Sequence, residues 1–270
     1  MSRLWRDRVI VGLAPGRLSA LRLGGGWRKH LVAHHDQTLH SKPASDWKAA
    51  LQAMQALLET PAWSEGHIEV ILSNHWVHYA VIPGQPGLGA AEHKTLAGIV
   101  FANTYGDLCQ DWDIRISRTT NNQSTIASGV PRGLLEALRT SAGPRLRSIR
   151  PALMSVFNRA RRNAIGNSAV TLALLEHGRA TVVSLEDEQW RSVVSRAVVN
   201  DDPDTFLAML NQETALQGQT EQGPLWLCDL GGGLRATSHG TRPIHTLEPP
   251  PLPQGSGESL RIGLAQWGVK

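Results

Sequence analysis

The stretch VIVGLAPGRLSALRL, residues 9–23, decides the fold class, because TLALLEHGRATVVSL, residues 171–185, repeats its pattern. In each stretch two apolar runs flank a short turn that contains glycine, APGR in the first and EHGR in the second. Apolar runs separated by such a turn are typical of a β-hairpin. The sequence therefore predicts one hairpin in each half of the 270-residue chain.

The segments that follow the two hairpins also correspond in order. Each hairpin is followed by a third segment, a helix and a strand, which indicates internal duplication. In the first half we expect a third strand at 28–33, a helix at 47–58 with Ser45 as its N-cap, and strands at 68–72 and 76–82. In the second half we expect a strand or helix at 190–199, a helix at 204–216 and a strand at 225–230.

The domain organisation predicted from this order is a first half at 1–150, with an inserted region around 83–130, and a second half at 151–270. The inserted region contains a predicted helix at 91–105 and strands at 112–117 and 124–128. A helix after Pro131, a strand at 145–150 and a helix from Pro151 connect the halves. The proline-rich tail segment 243–257 is predicted to be a stiff surface connector. Residues 261–267 are predicted to form a final strand.

Composition excludes several classes of protein. Hydrophobic residues make up 41% and charged residues 19%, as in ordinary globular proteins. The net charge of +4 comes without a concentrated basic run, which disfavours a nucleic-acid partner. Two cysteines without CxxC spacing predict neither a disulfide framework nor a zinc site. With neither a signal peptide nor a membrane span in the sequence, we expect a cytoplasmic protein.

The chain resembles the actin-like ATPase superfamily, whose plan is two βββαβα-type halves. The segments IEVILSNHWVHYAVIPG, residues 68–84, and RLRSIRPALMSVFNRARR, residues 145–162, resemble type II secretion protein L (GspL-like, cytoplasmic domain) and the PilM-like proteins of type IV pilus assembly. The resemblance implies an α/β, bilobed, actin-like fold related to ribonuclease H. It further implies a cytoplasmic protein, peripheral to the inner membrane, that binds the cytoplasmic tail of an assembly-platform protein. The assembly ATPase is a second candidate partner, and a homodimer is an open alternative.

The resemblance also indicates where a nucleotide would bind. Active members hold phosphates with the turns of both hairpins, each with an aspartate and glycines. Here the first turn has Gly12 and Gly16 without a carboxylate, and the second has Glu176 and one glycine. The motif DLGGG follows the fourth strand of the second half, toward the adenosine side. The candidate nucleotide-binding residues are therefore Gly12, Gly16, Asp229, Gly231, Gly232 and Gly233. A tight glycine turn is the structural alternative for DLGGG.

Polar residues elsewhere give weaker signals. His34 and His35 would point to opposite faces of a strand, which disfavours a metal site with His30 and His40. The residues Asn74, His75 and His78 follow a strand end, where loop hydrogen bonding is the simpler interpretation. The sequence thus predicts no catalytic and no metal-binding residues.

The function predicted from the resemblance is that of a non-catalytic scaffold for pilus or type II secretion assembly, which needs no cofactor. The alternative is an ATPase or a sugar-kinase-like phosphotransferase that binds ATP with Mg²⁺.

Overall fold

The structure is a computed structural model, and it describes residues 6–26, 29–40, 46–117, 123–163, 169–198, 203–216, 223–230, 238–239, 242–253 and 262–269. The chain divides into two compact units. The first comprises Met1–Trp76, Gly133–Val156 and Glu248–Lys270, and the second comprises Val77–Arg132 and Phe157–Leu247.

The first unit contains a five-stranded sheet with the strand order β3-β2-β1-β4-β8. Its strands β1 and β2 form the predicted hairpin, and β4 and β8 join in parallel on the far side of β1. The central strand β1 is apolar from Val9 to Ala14, and Val9, Ile10, Val11 and Leu13 are buried, although their side chains alternate between the two faces of the sheet. The strands are β1 (Arg8–Ala14), β2 (Arg17–Leu23), β3 (Leu31–Thr38), β4 (His67–Leu72) and β8 (Leu146–Pro151).

The helices of the first unit bury apolar stripes. In α1 (Lys48–Glu59), Leu51, Met54 and Leu58 recur at helical spacing and are buried. In α3 (Arg132–Ala142), Leu134, Leu135 and Leu138 are likewise buried. The two helices are also joined by a hydrogen bond that the Gln55 side chain donates to the Ser141 hydroxyl. The helix α4 (Ala152–Asn163) follows β8 directly.

The second unit contains a sheet with the order β11-β10-β9-β12-β14-β13. Its β9-β10 hairpin, antiparallel β11 and parallel β12 repeat the arrangement of β1 to β4. The helix α5 (Pro203–Leu216) packs Phe206 and Leu210 onto this sheet. The strands are β9 (Ala169–Glu176), β10 (Arg179–Glu186), β11 (Gln189–Ala197), β12 (Leu225–Asp229), β13 (Ser238–His239) and β14 (Arg242–Thr246). The matching strand orders of the two sheets confirm the duplicated fold.

The region between β4 and α3 forms a smaller sheet with the order β5-β7-β6. The helix α2 (Ala90–Tyr105) covers it, and Phe101 and Trp112 fill the core between them. A built Cβ at Gly129 would lie 2.7 Å from Phe101, so glycine is required there for the ring to reach the sheet. The strands are β5 (His78–Ile82), β6 (Trp112–Ile116) and β7 (Thr125–Pro131).

Several element bounds differ from the sequence predictions. The strand β3 begins three residues later than expected and runs through the polar residues 34–38, because each residue of β2 from Arg17 onward has a partner in β3. The segment expected at 190–199 as a strand or helix is a strand, β11. The predicted N-cap Ser45 lies outside the described residues, and Trp47 occupies the N-cap position without a side-chain hydrogen bond.

The segment predicted as a final strand at 261–267 is instead a short helix, α6 (Gly263–Gln266). The buried Gln266 side chain explains the difference. It accepts a hydrogen bond from the Ile262 backbone N–H and donates one to the Pro250 carbonyl, which ties the turn to the preceding proline run. Residues 243–246, expected in the connector, lie in β14.

In the parts of the chain that the structure describes, no helix has the length and apolar character needed to cross a membrane.

Candidate functional site

The first hairpin turn is a two-residue connection, Pro15 and Gly16, between the paired residues Ala14 and Arg17. Its only charged side chain belongs to Arg17, whose guanidinium binds the Asp36 carboxylate through Nε at 2.7 Å. That hydrogen bond raises the pKa of Arg17, while burial lowers it. A phosphate could meet a cation at this turn, but the turn supplies no carboxylate to position a hydrated metal ion.

Gly12 lies in β1, three residues before Pro15 of the turn, and is covered by α6. A Cβ built on Gly12 would lie 2.5 Å from the Ala265 backbone nitrogen and from the Leu264 Cβ. The Ala265 N–H also donates a hydrogen bond of 3.1 Å to Ser19, the residue opposite Gly12. The glycine therefore has a structural role, which is to let α6 approach the sheet. At the exposed Gly16, a built Cβ would meet nothing within 4 Å.

The second hairpin turn carries a carboxylate and a cation side by side. Glu176 and Arg179 are the directly opposed residues that flank the His177-Gly178 turn, in which Gly178 adopts a φ of +73°. The Glu176 side chain is buried. Burial lowers the pKa of the Arg179 guanidinium, whereas the negative charge of Glu176 raises it. The positive charge of Arg179 beside Glu176 disfavours a magnesium ion at this turn.

Around Arg179 lies an aromatic cluster that the sequence analysis did not assign to a site. The His78 ring stacks on Trp112 with ring centroids 4.0 Å apart, and Tyr105 donates a hydrogen bond of 2.7 Å to the Tyr79 carbonyl. Burial, followed by the positive charge of Arg179, lowers the pKa of His78 to about 4. His78 is therefore neutral at physiological pH.

The Tyr105 hydroxyl is similarly affected by its surroundings. Burial raises its pKa, whereas its hydrogen bond to Tyr79 and the charge of Arg179 lower it. Arg179 also donates a hydrogen bond of 3.2 Å to Ser195 on β11. In the sequence His78 stands out only as a polar residue near a strand end, and nothing indicates that Arg179, after the hairpin turn, and Tyr105, before Gly106, lie close to it.

The motif DLGGG is described only in part. Asp229 is the last residue of β12 and pairs with Leu175, the residue before Glu176, so two carboxylate residues lie at the same edge of the second sheet. The Leu230 N–H donates a hydrogen bond of 2.9 Å to the Leu175 carbonyl, which extends the pairing by one residue. The candidate residues Gly231, Gly232 and Gly233 lie outside the described residues.

The remaining polar candidates form local contacts. The fully buried Asn74 accepts a hydrogen bond of 3.4 Å from the Leu153 N–H in the first turn of α4. The His75 N–H bonds Ser73. His34 and His35 lie on opposite faces of β3, opposite Leu21 and Ala20. Among the described residues, no three His, Cys, Asp or Glu side chains lie together as metal ligands would.

The sequence matches no protein-family model and no curated protein. Solved structures give the fold: the chain has the actin-like ATPase fold. It is 14% identical to a chain of the PilM–PilN type IV pilus biogenesis complex, with a TM-score of 0.61 over 89% of this chain and 88% of that one. It is 13% identical to the cytoplasmic domain of EpsL, an inner membrane component of the type II secretion system of Vibrio cholerae, with a TM-score of 0.58 over 97% and 92%.

A third similar structure is a Bacteroides thetaiotaomicron protein with an actin-like ATPase fold and unknown function. It is 11% identical and has a TM-score of 0.58 over 85% of this chain and 84% of that one. At these identities the comparisons establish the fold, and the function must be argued from the residues of this chain.

Proposed function

We propose that this protein is a non-catalytic actin-like scaffold of a type IV pilus or type II secretion assembly platform. It binds the cytoplasmic segment of an inner-membrane partner and is held at the cytoplasmic face of the membrane through that partner. The assembly ATPase is its second proposed partner. The fold shared with PilM and with the cytoplasmic domain of EpsL supports this class of function.

The observation that carries the non-catalytic part of the proposal is the pairing of Glu176 with Arg179. In the second hairpin, Glu176 is the carboxylate nearest to a metal-binding position, and it lies directly opposite Arg179, a cation of the same chain. In the first hairpin the turn has no carboxylate, and Gly12 is occupied by its contact with α6. Neither turn offers the acidic, glycine-rich setting that a magnesium–phosphate complex needs.

Exposed apolar side chains supply candidate anchors for the partner. Large apolar residues exposed in the described parts of the chain include Ile99 on α2, with 54% of its surface accessible, and Leu108 just after α2, with 74%. Apolar side chains of this size contribute most to binding when a partner buries them fully. We propose that the outward side of α2 and the turn after it contact the partner segment.

Calorimetric titration tests the proposal. Where a single-span membrane protein is encoded beside this gene, the titrant is a synthetic peptide with the sequence of its cytoplasmic tail. We expect saturable binding that Ile99→Ser and Leu108→Ser each weaken by about tenfold, because one large apolar anchor contributes roughly 1.4 kcal/mol or more. The exposed Val32→Ser, on β3, is the matched control and should leave affinity unchanged. An absence of binding, or equal effects of all three substitutions, would contradict the proposal.

The second candidate function is that of an ATP-binding ATPase or sugar-kinase-like phosphotransferase. It is favoured by the placement of Asp229 and Glu176 at the ends of neighbouring parallel strands, where ligands bind in many α/β proteins. It predicts release of inorganic phosphate from ATP that requires Mg²⁺ and is abolished by Asp229→Ala. The exposed Asp107→Ala is the control substitution.

A further inference from the structure

The strand β3 is the open edge of the first sheet. It pairs with β2 at every residue except Val32, where the register shifts, and no strand in the described part of the chain pairs with its other side. It is eight residues long, contains no proline and exposes Val32 to 45%. An edge strand of this length presents backbone N–H and C=O groups on which another strand can pair.

Two other edge strands, β8 and β11, are better protected. The opposite edge of the same sheet, β8, ends in Pro151 and has a register shift where it meets Ile68 and Glu69, two features that discourage further pairing. The edge strand of the second sheet, β11, lies beside β5. The strand β3 has no such protection, apart from an irregularity near its start, between Arg22 and Leu23 of β2.

The side chains of β3 are complementary to themselves. We propose that β3 pairs with β3 of a second copy of this chain, antiparallel about a two-fold axis at His35 that is perpendicular to the sheet. Such an axis keeps each side chain on the same face of the sheet in both copies. Because side chains alternate between faces along a strand, two residues that lie opposite each other are an even number of positions apart in sequence. In this register His34 of each copy lies opposite Asp36 of the other, and the two His35 residues lie opposite each other on the other face.

Charge selects this register over its neighbours. A two-fold axis at His34 would place Asp36 opposite Val32, and one at Asp36 would oppose the two carboxylates, so neither gives a His34–Asp36 contact. Like charges directly opposite are destabilising in a sheet, whereas opposite charges stabilise it. With the axis at His35, imidazole N–H groups meet carboxylates at two symmetric positions.

The geometry of Asp36 fits this role. Its carboxylate is held from one side by Arg17 of its own chain, through a hydrogen bond of 2.7 Å from Nε and a second contact from Nη2. A carboxylate has about four acceptor positions, so the Arg17 pair leaves capacity for a donor from a neighbouring strand. The side chain is still 30% exposed. Arg17 therefore fixes Asp36 in place while leaving it able to bind His34 of the second copy.

Sedimentation equilibrium of the full chain tests the pairing. Over the range from about 1 μM to about 1 mM, where weak self-association is measurable, we expect the mass to rise from one chain toward two. His34→Asp puts carboxylates opposite each other twice and should weaken association at least tenfold. The swap His34→Asp with Asp36→His restores a histidine opposite each aspartate and should recover most of that loss. Far-UV circular dichroism and thermal unfolding confirm that each variant is folded.

Oxidative cross-linking tests the register independently. Directly opposed residues of antiparallel strands have Cα atoms about 4.5–5.5 Å apart, within reach of a disulfide. His35→Cys should therefore form a covalent dimer, and Ala33→Cys alone should not, because Ala33 faces Gln37. The double variant Ala33→Cys, Gln37→Cys should cross-link. Wild-type protein is the control for the buried Cys109 and Cys228.

Two results would overturn the inference. One is a mass of a single chain throughout the concentration range, which would show that β3 does not pair with a second copy. The other is a dimer in which His35→Cys fails to cross-link, which would place the interface elsewhere.

Discussion

Arg179 lies directly opposite Glu176 across the His177-Gly178 turn, so the carboxylate of the second hairpin has a cation of the same chain beside it. In a nucleotide-binding hairpin a carboxylate in this region would serve a metal ion and its waters. Here the carboxylate instead lies opposite a guanidinium at the end of the same hairpin. The arrangement has consequences for stability as well as for ligand binding.

Glu176→Gln should lower the free energy of unfolding by about 1–3 kcal/mol, because it leaves the half-buried Arg179 without its counter-charge. Urea denaturation at neutral pH measures the change. Glu186→Gln, on β10, is the matched control, since its ion pair with Arg191 is about half exposed and contributes little. Equal effects of the two substitutions would mean that the Glu176–Arg179 pair has no special stabilising role.

Gly12→Ala should destabilise the first unit by about 1–3 kcal/mol, because a Cβ there would overlap Leu264 and the Ala265 nitrogen. Gly16→Ala, four residues later in an open turn, should change stability by less than about 0.5 kcal/mol. Thermal unfolding compares the two variants. If Gly12→Ala is as stable as the wild type, α6 does not pack on β1 as described.

The β10-β11 turn should accept a stabilising pair of substitutions. Asp187 and Glu188 adopt φ angles of 50° and 62°, which cost L-residues about 1–2 kcal/mol each. A two-residue hairpin turn with positive φ at both positions prefers Asn-Gly. The double variant Asp187→Asn, Glu188→Gly should therefore raise the free energy of unfolding by about 1 kcal/mol or more.

Glu188→Gln provides the control for the turn, since it removes the charge without relieving the backbone. It should give no gain in the same denaturation experiment. A gain equal to that of the double variant would attribute the effect to charge rather than to backbone conformation.

Acid should destabilise the protein through His78. The pKa of His78 is lowered from 6.5 to about 4 in the folded protein, so the unfolded chain binds the proton more readily than the folded one between these values. The contribution of His78 to stability is fully present above about pH 6.5 and is lost as the pH falls toward 4. His78→Phe keeps an aromatic ring against Trp112 and removes the titrating group.

Unfolding by urea at several pH values from 7.5 to about 4 measures this effect. The difference in unfolding free energy between wild type and His78→Phe should shift in favour of the variant as the pH falls. A constant difference across that range would show that His78 is not buried as the structure describes.

The hairpins and the strands paired in parallel with them could be predicted from the sequence because their cause is local. Each of these hairpins is specified by two apolar runs joined by a turn that contains glycine. This pattern predicts the pairing of β1 with β2 and of β9 with β10. The last segment was mispredicted because its conformation depends on contacts distant in sequence. Gln266 bonds Pro250, and the helix fits against Gly12, so no local pattern could reveal it.

The same reason limits what could be predicted of the site. The sequence alone shows that both turns lack an aspartate, and it predicts that Asp229 lies near the end of a strand. The role of Arg179 was not, since Glu176, His78 and Tyr105 come together only through the sheet pairing and the region that contains β5 and α2. Gly12 matched a nucleotide-binding glycine in the sequence, whereas the structure gives it a packing function.

Calorimetric titration of the protein with ATP in the presence of Mg²⁺ tests the central claim most directly. The account predicts no binding heat even at high protein concentration, and the same result for Asp229→Ala and for the exposed control Asp107→Ala. Micromolar binding that Asp229→Ala abolishes and Asp107→Ala preserves would contradict it, and would establish the second sheet as part of a working nucleotide site.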